Sequence, residues 1–487
     1  MNKLNTIFKV LLASAVPILL SNCGSKSGNS AVVPEVVIPT TPSTPVNSQV
    51  ALWLTTPDRS VLFQKQNVAL NFAASTNTYT TIDVDTAQTY QTIDGFGFTL
   101  TGGSAAVING LNATAKDELL KELFSTDANH IGISYLRLSI GASDLDAAPF
   151  TYDELTNTTT DLDLKNFTID KDRTNLLPIL KKIIALNPDI KILGSPWTAP
   201  IWMKTNNNYS GGSLKPEYYD VYAKYFVKYI QAMKAEGITI DAITPQNEPL
   251  NAYNNPAMVM QPIEQTNFIK NNLGPQLKAA SLNTKIICYD HNTDRTDYPL
   301  AVLADPAANP YVDGSAFHLY IGSIDALTPV HNAYPNKNIY FTEQYTSSTG
   351  SFNGDLQWHV QNLIIGATRN WSRNVIEWNL ASDPNFGPHT NGGCTGCQGA
   401  LTIGNDVTRN VSYYIIAHAA KFVRPGSVRI ASNISGSLQN VAFKNPDGKK
   451  VIVVLNTGSS TQTFNIKFNS KIITPTLPAG AVGTFVW

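Results

Sequence analysis

The chain has 487 residues, 43% of them hydrophobic and 15% charged, with a formal net charge of −1. That length exceeds one domain of ordinary size, so a large domain with a smaller companion is expected. Lys and Arg never run longer than two residues, which leaves no concentrated positive face for a nucleic acid partner.

Lys3 and Lys9 precede an apolar run over 10–20 that ends at Ser21-Asn22-Cys23. A charged start, a short apolar stretch and a small-residue exit make an export signal. The stretch is too short to span a bilayer comfortably, and Pro17 interrupts it. Leu20-Ser21-Asn22-Cys23 resembles a bacterial lipobox, in which the Cys thiol takes a diacylglycerol, although Asn22 departs from the usual Gly or Ala. Residues 1–22 are therefore expected to be a lipoprotein signal peptide and Cys23 the lipidated residue, so that acyl chains tie the chain to a membrane. Residues 23–48, rich in Ser, Val, Pro and Thr, cannot bury enough apolar surface to fold and read as a disordered tether. The expectation is an exported bacterial lipoprotein at the outer membrane or cell surface.

Short alternating runs at 51–54 and 81–84 predict strands, and 49–85 is assigned to the N-terminal part of a β-rich side domain. From about residue 92 the rhythm changes. Eight short apolar runs (93–98, 133–141, 190–197, 242–248, 286–292, 315–320, 339–345 and 375–380) alternate with longer segments, several of helical periodicity, among them 175–186, 216–236, 355–372 and 411–423. Such runs suit strands buried on both faces of a parallel sheet. Their alternation with helices predicts an α/β fold, a (β/α)8 TIM barrel over 86–424. From 427 the short alternating runs return, punctuated by the turn Asn445-Pro446-Asp447-Gly448. Residues 425–487 are thus predicted to join the N-terminal strands in an antiparallel β-sandwich side domain.

Beyond Cys23, Cys288 stands alone in an apolar run and reads as a buried hydrophobe. Cys394 and Cys397 form a C-x-x-C, open to reading as a redox pair, half a metal site or a local disulfide. No second Cys pair completes a zinc site and export favours oxidation, so a loop-stiffening disulfide is expected.

Chemistry in a barrel sits at the C-terminal ends of its strands. The fourth run ends Thr244-Pro245-Gln246-Asn247-Glu248-Pro249 and the seventh Tyr340-Phe341-Thr342-Glu343-Gln344, so Glu248 and Glu343 are expected to face each other across the barrel mouth. Two carboxyls so placed suit glycosidic cleavage: one protonates the leaving oxygen while the other stabilises or attacks the sugar carbon. A Glu taken at random is more often an exposed loop carboxylate or half of a salt bridge; capping two apolar runs sets this pair apart. Asn247 is placed to donate to a sugar 2-hydroxyl. Arg137 is placed to keep the nucleophile ionised, or to serve a structural ion pair. Trp197, His318, Tyr320 and Trp378 each end a predicted strand and are expected to wall a sugar site, with His291, Asn292 and Asp144 as further candidates. No metal and no organic cofactor is expected, since Gly95-Phe96-Gly97 is too short for a dinucleotide loop.

Together these segments resemble glycoside hydrolase family 30, the family of glucosylceramidases and β-1,6-glucanases. The resemblance rests on Gly95-Phe96-Gly97, the stretch from Arg137 to Asp144, Ser195-Pro196-Trp197, Gln246-Asn247-Glu248-Pro249, Phe317-His318-Leu319-Tyr320, Phe341-Thr342-Glu343, Glu377-Trp378-Asn379 and Phe422-Val423-Arg424-Pro425-Gly426. It implies a barrel with a β-sandwich, a retaining mechanism, Glu248 as acid/base and Glu343 as nucleophile. It also implies that Trp197, Asn247, Tyr320 and Trp378 line the pocket of the cleaved sugar. One position departs: Gly102 stands where glucosylceramidase-like members carry an Asp that grips a terminal glucose. A Gly-Gly turn there is expected to leave room for a continuing chain. A monomeric endo-β-1,6-glucanase acting on β-linked glucan is therefore expected, with an exo-acting β-glucosidase, glucosylceramidase or β-xylosidase as the alternative. A carbohydrate-binding lipoprotein without turnover is the alternative of a different class.

Overall fold

The computed structural model describes residues 47–155 and 159–487; the expected signal peptide, Cys23 and most of the tether lie outside the described residues. Eight parallel strands close a barrel in chain order: β1 (Gly95–Thr99), β2 (Tyr135–Ser139), β3 (Lys191–Ser195), β4 (Ala242–Ile243), β5 (Lys285–Asn292), β6 (Val312–His318), β7 (Asn338–Glu343) and β8 (Ser372–Glu377). Helices pack around them by the ordinary rule of one apolar stripe. In the helix Leu176–Leu186, Leu176, Ile179, Leu180 and Ile183 are buried at i, i+3, i+4 and i+7. The segment expected at 355–372 begins at Phe352, with the Ser351 hydroxyl accepting from the Gly354 amide, and widens into a π-helical stretch at Val360–Ala367.

The barrel interior is built in layers. Tyr135, Leu193, Ala242, Ile287, Ala316, Tyr340 and Ile376 form an apolar plug. Strand side chains alternate in direction, so the residue two further on points the same way. That rule places Arg137, Ser195, Thr244, His318 and Thr342 directly above the plug. On β5 the register against β6 shifts between Tyr289 and His291, and Tyr289 and Asp290 take positive φ of 73° and 76°. The inserted residue makes a bulge that passes the interior position from Tyr289 to Asp290. A polar layer thus rests on an apolar one, at the end of the barrel where chemistry is expected.

The side domain is a nine-stranded sheet built from both ends of the described chain. Ala51–Thr55 pairs antiparallel with Val482–Val486, and Thr81–Thr92 lies between Val428–Ser432 and Asn465–Phe468. One face supplies Val441, Phe443, Val451, Val453 and Leu455 to the same core as the barrel helices. The opposite face closes a separate core with Ala442, Ile452, Val454, Phe464 and Phe485.

Two expectations need correction. The barrel does not begin at 86, because Thr81–Thr92 stays paired with the side sheet as far as Thr92 opposite Val428. Nor is the side domain wholly antiparallel: Asn465–Phe468 runs parallel to Thr81–Thr92. The chain crosses from Lys450–Asn456 past several strands before it rejoins this sheet, and it enters beside Thr81–Thr92 in the same direction.

Candidate active site

Strand β4 is only two residues long, so Glu248 is not at a strand end but on the buried loop that follows, with a positive φ of 45°. Its amide donates to the carbonyl of Asp290, which ties this loop to the β5 bulge. Left-handed backbone is costly for a non-glycine residue, and such conformations concentrate at working sites. Glu343 is the last residue of β7. One oxygen of Glu248, one of Glu343 and a ring nitrogen of His318 all lie within 4.8 Å of one another.

Asp290 organises what lies beneath. Its carboxylate accepts from Arg137 Nη2 at 2.8 Å, Ser195 Oγ at 2.9 Å, Thr244 Oγ1 at 2.8 Å and Thr342 Oγ1 at 2.6 Å. His318 Nε2 stands 3.2 Å from its other side. Arg137, fully buried, also donates to Glu343 Oε2 at 2.5 Å and Asn247 Oδ1 at 2.6 Å, while its Nε has no partner. The second contact fixes the Asn247 amide with its oxygen towards Arg137 and its nitrogen turned the other way. Tyr320 donates its hydroxyl to Glu343 Oε1 at 3.0 Å. Glu248 receives Asn251 Nδ2 at 2.8 Å and faces His318 Nδ1 at 3.2 Å, with His291 Nε2 3.8 Å away.

These charges set one another. Burial disfavours the His318 imidazolium, but the charge of Glu343 and the hydrogen bonds to Asp290 and Glu248 outweigh it and raise the ring to about 9. Burial likewise pushes Glu248 up, yet His318, aided by His291 and Asn251, holds it at about 2. For Glu343 burial prevails over His318 and Arg137, and its carboxyl is raised. Asp144 is raised to about 7, first by burial and then by the charge of Glu343. Glu248, His318 and Glu343 have the donor types of a metal site. Both His318 nitrogens already face carboxylates, so a cation there would compete with the imidazolium.

Above this layer opens a cavity of about 520 Å³, lined by Asp144, Trp197, Glu248, His291, Asn292, Tyr320, Glu343, Trp378, Cys394 and Cys397, together with Asn251, Tyr253 and Ile321. Trp197 and Trp378 meet at 5.3 Å between centroids, and the Arg137 guanidinium lies 4.8 Å from the Trp197 ring. Cys394 and Cys397 are disulfide-bonded. The Cys394 amide donates to Asp144 Oδ2 at 3.1 Å, and Cys397 packs with Leu145, Trp197 and Trp378. Cys288 is buried and free.

Three sequence expectations change here. His318 does not wall the sugar site; with no exposed surface it lies beneath the cavity and joins Glu248 to Asp290. Gly102 leaves no room for a continuing chain. A Cβ at Gly102 would stand 1.8 Å from Asp146 Oδ1, and that buried carboxylate is held in place by the Ser143 amide and hydroxyl. Asp290, absent from the expected site, is its hub, and the signal that could have found it is a carboxylate closing the apolar run 286–290.

A barrel that brings two carboxyls within reach of one glycosidic linkage, under a wall of tryptophans, defines a glycoside hydrolase. The chain belongs to glycoside hydrolase family 30: the family's TIM-barrel domain matches residues 93–423 and its β-sandwich domain residues 426–485. It is 38% identical to the endo-1,6-beta-D-glucanase BGN16.3 of Trichoderma harzianum, over 82% of this chain and 85% of that one. Against the lysosomal acid glucosylceramidase of Mus musculus the identity is 30%, over 82% and 81% of the two chains. Among solved structures, the endo-beta1,6-glucanase BT3312 superposes with a TM-score of 0.85 at 37% identity, covering 91% of this chain and 99% of that one.

Proposed function

We propose that the protein cleaves β-1,6-linked glucan internally and with retention, Glu248 serving as acid/base and Glu343 as nucleophile. The observation that carries this reading is the approach of the two carboxyls, with oxygens within 4.8 Å. Inverting pairs stand roughly 6.5–9.5 Å apart to admit a water, whereas retaining pairs stand at about 5–5.5 Å. Glu343 attacks the anomeric carbon while Glu248 gives its proton to the departing oxygen. Water then attacks the glycosyl ester, Glu248 takes the proton of that water, and Glu343 is released. Arg137 and Tyr320 hold Glu343 in line by one hydrogen bond to each oxygen.

His318 Nδ1 stands 3.2 Å from Glu248 Oε1, within reach to exchange a proton with the acid, and Arg137 remains beside Glu343. Support for the 1,6 linkage comes from the relatives of that activity, at 37–38% identity. The Asn247 nitrogen, Trp197, Trp378 and Asp144 serve the sugar being cut. Cys23 as a lipid-bearing residue, with the body tethered at the outer membrane or cell surface, is supported by the charged start, apolar run and small-residue exit of residues 1–23. Among the described residues no helix is long and apolar enough to cross a membrane.

The test is product analysis of the body from residue 47 on a β-1,6-glucan. A ladder of short oligosaccharides appearing early supports internal cleavage. Glucose alone, or activity restricted to aryl β-glucosides or β-xylosides, rejects it in favour of an exo-acting enzyme. Glu343→Gln should abolish turnover and retain glucan binding; a binding protein would show no turnover with either residue.

A further inference from the structure

The cavity lining is of two characters. Trp197 and Trp378, at 2% and 3% exposure, are buried in it beside the Cys394–Cys397 disulfide. Tyr253, 93% exposed, and Ile321, 60% exposed, line it from the surface. An aromatic ring left almost wholly in water contributes little to folding, and such a ring at the lip of a polar cavity has the form of a contact surface.

The loop that carries Tyr253 is not slack. The Asn251 amide donates to the Glu248 carbonyl at 2.8 Å, and the Tyr253 amide to Asn251 Oδ1 at 2.9 Å. Ser210 Oγ donates to the Asn254 carbonyl at 2.8 Å, and Asn255 Nδ2 to the Asn391 carbonyl at 2.8 Å. The ring is therefore presented by a loop braced against both neighbouring loops. It is also covalently close to the acid, five residues after Glu248 and linked to it through Asn251, whose Nδ2 donates to Glu248 Oε2 at 2.8 Å.

A general acid lies against the oxygen that departs, so the released half of the substrate extends on the acid's side of the cut. From these placements we infer that Tyr253, with Ile321, forms the platform for the sugars on the leaving side of the scissile bond, and that Tyr253 determines the preference for long chains. Pyranose rings present C–H faces that pack on a flat aromatic ring, and binding energy gathered away from the cut is used to orient the reacting linkage. The sugar that becomes attached to Glu343 lies over the buried part of the lining, and the chain released with the departing oxygen passes over the exposed ring of Tyr253. This inference rests on Glu248 being the acid, as proposed above.

The test compares wild type, Tyr253→Ala and Tyr253→Phe across β-1,6-gluco-oligosaccharides of increasing length, reading kcat/KM. Wild-type kcat/KM should climb with length. Tyr253→Ala should flatten that climb, with a loss that grows to about tenfold on the longest chains, the scale of one lost ring contact. Tyr253→Phe should restore it, because the ring face and not the hydroxyl makes the contact. A Tyr253→Ala enzyme that keeps the wild-type dependence on length, or a Tyr253→Phe enzyme as impaired as Tyr253→Ala, overturns the inference. Wild type inert on the whole series instead rejects the 1,6 linkage, a result visible with Tyr253 intact; the same three-way comparison on the linkage that wild type does hydrolyse then decides the role of Tyr253.

Discussion

Asp290 holds four donors and faces a fifth group, and every one of them lies under or beside the two glutamates. Removing its charge leaves Arg137 with Glu343 as its one carboxylate partner and takes from the buried layer the charge that its donors converge on. Breaking a buried pair of this kind costs about 3–5 kcal/mol. Asp290→Asn should therefore lower the urea midpoint and cut kcat by about a hundredfold or more, whereas an enzyme with wild-type kcat would deny Asp290 its positioning role. The same cluster sets a pH signature. His318, raised to about 9, contributes stability that is complete below its ordinary 6.5 and is lost as pH climbs through 9. Glu248, depressed to about 2, contributes stability that is present above its ordinary 4.5 and is lost as pH falls towards 2. Both are full between 4.5 and 6.5, so the difference in unfolding free energy between wild type and His318→Asn should be greatest there and shrink on either side. A difference that stays level from pH 6.5 to 9 would contradict the charged imidazolium. Strict alternation along a strand points to Tyr289 as the inward residue; the carboxylate closing the run marks Asp290 as a candidate, and the bulge is what turns it inward. Glu343 was legible for the opposite reason, since an unbroken apolar run delivers it to the strand end.

Elements behave in the same way. Most of the barrel strands were readable as runs rich in Ile, Val, Leu or aromatic residues; the first, Gly95–Thr99, and the sixth, Val312–His318, carry Gly, Ser and Asp among them and were read from the alternation with helices. The fourth shows the limit of that reading: its run spans 242–248, but pairing stops at Ile243 and the rest is loop. Thr244, Gln246 and Asn247 are as buried as strand residues, and burial rather than pairing is what an apolar run reports. The loop bearing the Cys394–Cys397 disulfide is the element nearest the substrate that is held by a covalent bond. Its Cys394 amide reaches Asp144, and Cys397 lies against both tryptophans. Closing so short a loop stabilises by about 2 kcal/mol in the chain-entropy description. Replacing both cysteines by Ser should lower the urea midpoint modestly and raise KM more than it lowers kcat. Equal falls in kcat and kcat/KM with KM unchanged would mean that the loop acts on the transition state instead of on substrate binding.

Barrel and side sheet share one core across the whole molecule. Val441, Phe443, Val451, Val453 and Leu455 lie against the barrel helices. His418 joins the two bodies from within, standing 2.8 Å from Thr484 Oγ1 and 2.8 Å from Thr55 Oγ1, and burial depresses its ring to about 3, so it bridges as a neutral imidazole. Truncation after Val423 would remove those strands and expose the barrel surface they cover, and the shortened chain should collect in the insoluble fraction; a soluble, active barrel would show the side sheet to be dispensable. That both chain ends would contribute to the side domain was readable, because their short alternating runs differ from the barrel's longer rhythm. The parallel entry of Asn465–Phe468 was not, since alternation records which face a strand buries and says nothing of its neighbour's direction.

The pairing of Ala51–Thr55 with Val482–Val486 also has a meaning in time. The first strand of the folded body is among the earliest parts of it to be synthesised, and its partner is among the last. At roughly 5–20 residues per second, its edge stays open for on the order of tens of seconds while the barrel between them is made. The barrel builds strand by strand between chain neighbours and needs one distant pairing, Ser372–Glu377 on Gly95–Thr99, all of it made before the side sheet's last strand exists. Completion of the C-terminal strand therefore acts as a final latch, and a ribosome that stalls short of residue 482 would leave a finished barrel beside a strand paired on one edge only, with Gln64–Lys65.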